Sequence, residues 1–193
     1  PHSLTPEGGA TTWTSVDGQL VEAEVAWPGL RADGSARRAR VVSGGTAVVV
    51  GSAVALEDET PPPVGPAGTW LLEPDDAVLR AGLVGHVAAL VGGRLLDPHV
   101  AYVTADEAVD VAPLATSFRI RHALPWDARS VRSLLRADGI GHVVVKKRAT
   151  SLDPARVAKE LRLPKADGRA VLVLARVGDG VQALVCDVPE TWA

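Results

Sequence analysis

The hydrophobic positions of the first fifty residues follow the short runs that are typical of β-strands. Residues 11–16 are β-branched or aromatic and end at Asp17-Gly18, a pair that favours a tight turn, so they predict a strand. Two Val-rich runs within residues 37–50 flank Gly44-Gly45 and predict two further strands. Residues 20–27 fit a strand or a short helix, and the pattern leaves both open.

A proline-rich segment then interrupts the pattern. Residues 57–68 contain three acidic residues followed by four Pro and two Gly, a composition that predicts an extended, stiff linker. We therefore expect a first segment at 1–57, a linker at 58–68 and a second region at 69–193.

The second region opens with a short strand at residues 69–73 and a helix. Pro74-Asp75-Asp76 predicts the helix start because acidic residues favour the positive end of the helix dipole. The helical pattern extends to Val91, and Gly82 and Gly85 lie inside it on nearly one face, which indicates a close approach of another backbone. Extended structure is expected next, at residues 95–96 and 99–104.

The remaining pattern is strand, helix, strand, helix, strand, strand. Asp127 predicts the N-cap of the first of these helices, whose apolar stripe includes Val131 and Leu135, and Asp153-Pro154 predicts the start of the second. The strands are expected at residues 117–124, 142–148, 170–177 and 181–187. This order predicts a small α+β domain with its core at 117–193, a mixed or antiparallel sheet and helices on one face.

The composition is that of a globular protein, with 47% hydrophobic and 22% charged residues. No apolar run approaches the ~20 residues that a membrane-spanning helix needs, so no membrane partner is expected. The single Cys186 excludes an internal disulfide and a cysteine-based zinc cluster, and its apolar surroundings predict an inert buried thiol. A reducing, cytoplasmic location is the expectation that follows. The chain lacks Met and opens at Pro1, from which we expect a missing segment upstream.

The net charge of −3 hides an asymmetry along the chain. Residues 1–116 hold six Arg and fifteen acidic residues, whereas residues 117–170 hold thirteen basic and five acidic residues. A basic block inside an acidic chain favours an anionic partner such as RNA. Two other interpretations stay open: the basic side chains form a solvated surface, or they pack on the acidic half of the chain.

Three consecutive elements of the basic block present cations. Arg129, Arg132 and Arg136 recur at positions i, i+3 and i+7, so they share one helix face opposite the apolar stripe. The candidate RNA-binding residues are Arg129, Arg132, Arg136, Lys146, Lys147, Arg148, Arg156 and Lys159. Because only Phe118 and Trp126 are aromatic in the block, we expect contacts to phosphate, sugar and shape rather than stacking on bases.

The sequence does not assemble a complete active site. It contains no G-x-G-x-x-G after a strand, no P-loop and no H-E-x-x-H, and its five His are scattered without ligand spacing. Glu73, Asp75 and Asp76 are explained by helix capping. A second acidic cluster, at residues 106–110, lies in a predicted loop. We therefore assign no catalytic, cofactor-binding or metal-binding residue.

Several segments resemble a known family. Residues 136–148 (Arg-Ala-Asp-Gly-Ile-Gly-His-Val-Val-Val-Lys-Lys-Arg) resemble the THUMP-like domain that closes a group of bacterial class I S-adenosylmethionine-dependent methyltransferases. The resemblance continues through Asp153-Pro154 and its basic helix into the last two strands. Further matching segments lie at 73–82, 96–98 and 101–104, and residues 13–18 and 21–23 resemble the last part of the methyltransferase domain.

The resemblance implies that residues 1–57 are the end of a methyltransferase-type sheet with antiparallel strands, and that residues 69–193 recognise the substrate. S-adenosylmethionine would be the cofactor, bound by a missing N-terminal methyltransferase half upstream of Pro1, so this chain is expected to be inactive alone. The resemblance and the basic block together favour RNA, either tRNA or rRNA, as the substrate.

A non-catalytic interaction module remains as an alternative, with its basic face packed on an acidic partner. A self-contained hydrolase is disfavoured because no nucleophile and base can be paired.

Overall fold

The computed structural model describes residues 5, 7–30, 34–189 and 192, apart from the side chain of residue 57. Parts of the predicted first segment, at 1–4, 6 and 31–33, lie outside the described residues, as do 190, 191 and 193. The described residues form two sheets and four α-helices, so the α+β prediction is confirmed.

The first sheet has the strand order β2-β1-β3-β4. Its strands are β1 (Ala10–Val16), β2 (Gln19–Ala26), β3 (Arg37–Ser43) and β4 (Thr46–Ser52). Tight turns at Asp17-Gly18 and Gly44-Gly45 close two antiparallel hairpins, as predicted. The central pair, β1 with β3, is parallel, so the sheet is mixed and not purely antiparallel. Residues 20–27, which fitted a strand or a helix, lie mostly in the edge strand β2.

The second sheet has seven strands in the order β6-β7-β5-β8-β11-β10-β9. The strands are β5 (Trp70–Pro74), β6 (Arg94–Asp97), β7 (Val100–Ala105), β8 (Ala115–Pro125), β9 (Ile140–Arg148), β10 (Gly168–Val177) and β11 (Gly180–Cys186). The long strand β8 pairs with β5 through its first half and with β11 through its second half. Strand β8 therefore joins residues 70–105 and the predicted core at 117–193 into one sheet. Within this sheet only β9 and β10 pair in parallel.

The helix predicted from residue 76 to Val91 is two short helices. They are α1 (Asp76–Arg80) and α2 (Val84–Leu90), separated at Gly82, whose φ of +66° ends the first. The approach of another backbone predicted at Gly82 is not found, because the atoms that a Cβ there would meet belong to side chains, with Leu56 Cδ1 at 2.5 Å. At Gly85 it is absent as well, since the nearest atom would be Pro62 Cδ at 3.8 Å.

The chain has three hydrophobic clusters among its described residues. The first lies around α1 and α2 and takes in Trp13 of the first sheet and Leu72 of the second. The second lies inside the curl of the seven-stranded sheet, where Leu71 and Phe118 pack with Val173 of β10. The third lies under the remaining helices, α3 (Ala128–Ala137) and α4 (Pro154–Leu161). These two helices cover the other face of β9, β10 and β11, as the sequence predicted.

The proline-rich segment is extended, but it is attached to the second sheet. Leu95 N donates a hydrogen bond to Pro63 O at 2.8 Å, and Gly65 N donates one to Leu95 O at 3.0 Å. Val64 and Leu95 form an isolated parallel bridge. Proline cannot extend such a ladder, which explains why the pairing stops after one bridge.

Buried Arg37 links the first sheet to the turn between α1 and α2. Its Nη1 donates to the carbonyl oxygens of Ala81 and Gly82, and its Nη2 pairs with Glu59. A buried guanidinium needs such partners for its five donors, so this side chain fixes the position of the first sheet against the helices.

Candidate nucleic-acid interface

The first basic helix is built as the sequence predicted. Asp127 caps α3, accepting hydrogen bonds from Ser130 N at 2.8 Å and Ser130 Oγ at 2.7 Å, and these bonds lower the pKa of Asp127. Val131 and Leu135 are fully buried against the sheet. Arg129 lies on the outer side of α3 and is exposed.

The other two arginines of α3 bind the end of α4. Arg132 donates from Nε to Leu161 O at 2.9 Å and from Nη2 to Glu160 O at 2.8 Å. Arg136 donates from Nη2 to Arg162 O at 3.1 Å. The last carbonyls of a helix have no partner inside the helix, so these guanidinium groups satisfy them and fasten α4 to α3.

The second basic helix exposes its cations. Asp153 caps α4 through Arg156 N at 2.7 Å, and Val157 is buried beneath. Arg156 and Lys159 are exposed on the outer side. Lys147 of β9 is exposed as well, and its side chain points to the sheet face that α3 and α4 cover, because strand residues alternate between faces.

Lys146 and Arg148 lie on the opposite face of β9, as the alternation predicts. Both pair with Glu73 of β5, and their side chains are only 26% and 29% exposed. Lys146 Nζ also lies 5.1 Å from the centroid of the Trp192 ring, and Arg148 Cζ lies 5.1 Å from that of Tyr102. These two cations therefore belong to an internal cluster.

Glu73 does not cap a helix, contrary to the sequence interpretation. It lies in β5, accepts a hydrogen bond from Tyr102 Oη at 3.2 Å and pairs with the two cations of β9. Burial, and next the charge of Glu73, raise the pKa of Tyr102, so its hydroxyl stays protonated as the donor. Asp75 is the actual cap of α1, bound by Ala77 N at 2.8 Å.

The structure thus sorts the eight candidates into three groups. Arg129, Lys147, Arg156 and Lys159 are exposed on the side of α3 and α4, and in the described part of the chain no hydrogen bond or ion pair engages their side-chain nitrogens. Arg132 and Arg136 hold the end of α4. Lys146 and Arg148 are paired inside the curl of the sheet. RNA binding by any of them remains a prediction.

A large open cleft separates the two sheets, with a volume of about 1120 Å³. On one side lie Asp17 and Ser43, at the carboxyl ends of β1 and β3. On the other lie Arg119 and Arg121 of β8 and Arg169 of β10, together with the ring of Trp192. Trp70 and the loop at 110–113 also line the cleft.

Sequence reasoning did not single out these cleft residues. Arg119 and Arg121 are two positions apart on a strand and therefore share a face of the sheet. This spacing is the one feature of the sequence that could have pointed to the cleft. Arg169 and Trp192 lie at least 48 residues further along the chain than either of these arginines, and only the tertiary fold brings them to β8.

The remaining groups offer little chemistry. Cys186 is buried, as predicted, and burial raises the pKa of its thiol to about 12. No three His, Cys, Asp or Glu side chains in the described ranges are placed to hold a metal ion. No helix in those ranges is long and apolar enough to cross a membrane.

The ends of the parallel strands β1 and β3 lack the strand-to-helix turn that cradles a nucleotide-like cofactor in α/β sheets. The turns after the parallel strands β1 and β3 each lead into an antiparallel strand, not into a helix. A helix N-terminus that would face a ligand is therefore missing from the ends of these two strands.

A family profile described as THUMP domain-like matches residues 115–188. These residues form a THUMP-like domain. The match begins with β8 and ends just after β11, so it contains α3, α4 and all eight candidate cations.

The chain is also similar to longer proteins. It is 34% identical over 164 residues to two uncharacterized S-adenosylmethionine-dependent methyltransferases from two strains of Mycobacterium tuberculosis, which covers 82% of this chain and 42% of theirs. A crystal structure of a presumed methyltransferase from Porphyromonas gingivalis W83 superposes with a TM-score of 0.71 at 16% identity, over 94% of this chain and 45% of that one. The resemblance to S-adenosylmethionine-dependent methyltransferases with a THUMP-like domain, expected from the sequence, is confirmed. This chain spans less than half the length of these relatives.

Proposed function

We propose that this chain is the substrate-docking part of an S-adenosylmethionine-dependent methyltransferase that acts on RNA, either tRNA or rRNA. The proposal is supported by its similarity to proteins named as such methyltransferases and by the charge of the THUMP-like domain. The exposed cations of that domain would hold the RNA backbone.

The observation that carries the RNA proposal is the group of four exposed cations, which we call the helix-side cluster: Arg129, Lys147, Arg156 and Lys159. Two short capped helices and one strand fix these side chains on one side of the domain. Unpaired cations on rigid elements suit phosphate contacts, each of which releases counterions when it forms. The described residues of the acidic half, 1–116, leave these four cations exposed, which disfavours the alternative in which they pack within the chain.

The cofactor site and the catalytic residues would lie in the part of the relatives that this chain does not match. The turns at the ends of β1 and β3 offer no helix N-terminus for S-adenosylmethionine. The edge strand β2 has exposed apolar side chains, with Val21 at 58%, and Trp27 just beyond it is 66% exposed. Strands from the part of the relatives that this chain does not match would pair with this edge.

The test is tRNA binding by the whole chain, measured by fluorescence anisotropy of labelled tRNA over a series of salt concentrations. A variant with Ala at all four positions of the helix-side cluster should bind at least tenfold more weakly at low salt. The slope of log K against log salt should fall by about 3.6, since each of the four lost duplex phosphate contacts removes roughly 0.9.

A charge-matched control separates this site from the overall field of the protein. Glu is introduced at four exposed positions of the acidic half: Ala53, Thr60, Ala89 and Leu90. This control changes the net charge by the same amount but should leave the salt slope near the wild-type value. Absence of tRNA binding by the wild-type chain would refute the RNA proposal, and capture of an acidic protein by the same cluster would favour the interaction module.

A further inference from the structure

The cleft between the two sheets lies where an open sheet usually binds its ligand. β1 and β3 run in parallel, and both end at the cleft, where Asp17 N donates to Val42 O at 2.8 Å. In open sheets, ligands bind in the crevice beyond the carboxyl ends of parallel strands. The opposite wall belongs to the THUMP-like domain, so a ligand in the cleft would touch both parts of the chain.

Two arginines in this wall have no acidic partner among the described residues. Arg119 and Arg169 are exposed and line the cleft, and the part of the chain that the structure describes provides no hydrogen bond or ion pair to their guanidinium groups. The third, Arg121, pairs with Asp187. An arginine of this kind is suited to bidentate contact with a phosphate group.

The aspartates of the cleft are all engaged in the protein. Asp17 accepts from Gly44 N at 3.4 Å, Asp110 accepts from Ala112 N at 3.0 Å, and Asp75 caps α1. Among the described residues, with Asp187 paired to Arg121, only Arg119 and Arg169 line the cleft as charged side chains without a hydrogen bond or ion pair. The carboxylates keep their charge in these hydrogen bonds, so the positive charge of the cleft is confined to the wall that β8 and β10 form.

An aromatic ring lies beside these cations. Trp192 is 40% exposed and lines the cleft, while Phe118 contacts it edge-on, with ring centroids 5.6 Å apart. Lys146 lies over the same ring, which leaves the remaining exposed surface of the indole to the cleft. Aromatic rings beside cations provide stacking for unpaired bases.

We propose that the cleft binds a single-stranded segment of RNA, with Arg119 and Arg169 on phosphates and Trp192 stacked on a base. This inference rests on the proposed RNA-directed function and adds a second contact to it. The helix-side cluster would hold structured RNA, and the cleft would lead an unpaired segment towards the carboxyl ends of β1 and β3.

The experiment measures binding of the whole chain to a labelled twelve-nucleotide oligouridylate and, separately, to labelled tRNA. The test variant is R119A/R169A, and its charge-matched control places Glu at Ala53 and Thr60, away from the cleft. The test variant should bind the oligomer at least tenfold more weakly, with a salt slope lower by about 1.4, since each single-strand phosphate contact contributes roughly 0.7. The control should keep the wild-type slope.

A second variant, Trp192→Leu, tests the stacking. It should weaken oligomer binding by roughly tenfold with an unchanged salt slope, because stacking does not release counterions. Thermal unfolding of each variant reports whether the fold is kept. Because Arg119 and Arg169 are exposed, R119A/R169A tests the cleft even if Trp192→Leu unfolds.

The outcomes separate the two proposals. If wild type binds neither RNA, the RNA-directed function fails and the cleft proposal fails with it. If wild type binds tRNA but R119A/R169A retains the wild-type affinity for the oligomer, the cleft proposal alone is overturned. Equal competition by poly-glutamate would also overturn it, because the cleft would then bind any polyanion.

Discussion

The carboxylate of Glu73 on β5 pairs with the ammonium of Lys146 on β9, although three strands separate β5 and β9 in the sheet. The pair forms because the seven-stranded sheet curls and brings its ends over a shared apolar cluster. Arg148 and Tyr102 complete the network around the same carboxylate. This contact joins the THUMP-like domain to the strands that precede it.

Replacing Glu73 should therefore destabilise the whole chain. Glu73→Gln leaves Lys146 and Arg148 partly buried without their counter-charge, which should cost about 2 kcal/mol of unfolding free energy, less than the loss of a fully buried pair. Chemical denaturation monitored by tryptophan fluorescence measures the change. Glu22→Gln, at an exposed position of β2, is the control and should change stability by less than about 0.5 kcal/mol.

The arginines of α3 should separate into structural and binding roles. Arg132→Ala removes two hydrogen bonds to the end of α4 and should lower stability by about 1–2 kcal/mol. Arg129→Ala should leave stability within about 0.5 kcal/mol of wild type and weaken tRNA binding. Measuring thermal unfolding and tRNA anisotropy on both variants tests the division. Equal stability of the two variants would show that the contacts of Arg132 do not hold α4.

A side chain at Gly82 should destabilise the fold. Its φ is +66°, and a Cβ atom would lie 2.5 Å from Leu56 Cδ1 and 2.9 Å from Arg37 Nη1. Gly82→Ala should cost about 2–4 kcal/mol, through backbone strain and displacement of these side chains. Gly92→Ala is the matched control, since its φ is +56° with no atom within 4 Å, and it should show the strain alone, about 1 kcal/mol. Urea denaturation of both variants gives the comparison.

Asp97 should make stability depend on pH. Hydrogen bonds from His99 N and Gly178 N, at 2.8 and 2.9 Å, lower the pKa of this carboxyl below its ordinary 3.8. Because the folded pKa is lower than the unfolded pKa, the stabilisation is complete above about pH 5 and is lost as the pH falls through the folded value. Asp97→Asn should therefore be less stable than wild type at pH 7, by about 1–2 kcal/mol.

Measuring the unfolding free energy of wild type and Asp97→Asn over a range of pH values tests this interpretation. The stability gap between wild type and Asp97→Asn should narrow as the pH falls below about 4, because the wild-type carboxyl is protonated first in the unfolded state and, at lower pH, in the folded state as well. Asp179→Asn, in the exposed turn beside Gly178, should give no such gap. A gap that stays constant from pH 7 to pH 3 would show that the charge of Asp97 is not the cause.

The edge strand β2 should drive self-association of the isolated chain. Leu20, Val21 and Val25 are between 36% and 58% exposed, and the outer edge of β2 has no neighbouring strand within the described residues. Val21→Lys should shift the chain towards the monomer, since a charged edge opposes strand pairing. Analytical ultracentrifugation over a concentration series measures the effect. Val144→Lys, at a comparably exposed position of β9, is the control for solubility.

Much of the local structure followed from the sequence because short-range physics decides it. The turns at Asp17-Gly18 and Gly44-Gly45 and the caps Asp127 and Asp153 need only neighbouring residues. The strand and helix order of the THUMP-like domain followed for the same reason. The break at Gly82 was missed because a single Gly within a helical pattern is compatible with continuation, and packing against Leu56 and Arg37 decides against it.

The candidate site was predicted only in part. The sequence determined that the cations are concentrated in residues 117–170 and on which face of each helix or strand they lie. Only the tertiary structure decides which cations have partners. Arg132 donates hydrogen bonds to carbonyls of α4, and Lys146 pairs with Glu73, which lies 73 positions earlier in the chain.

The cleft was decided by the tertiary structure alone. Arg119, Arg169 and Trp192 share no periodicity, and a parallel pair between β1 and β3 cannot be read from either strand by itself. Local propensity depends on neighbours within a few residues, whereas the curl of a sheet depends on which strands pair and on the core they enclose. The sequence by itself therefore determined the elements, the caps and the charge, and the fold decided which side chains meet.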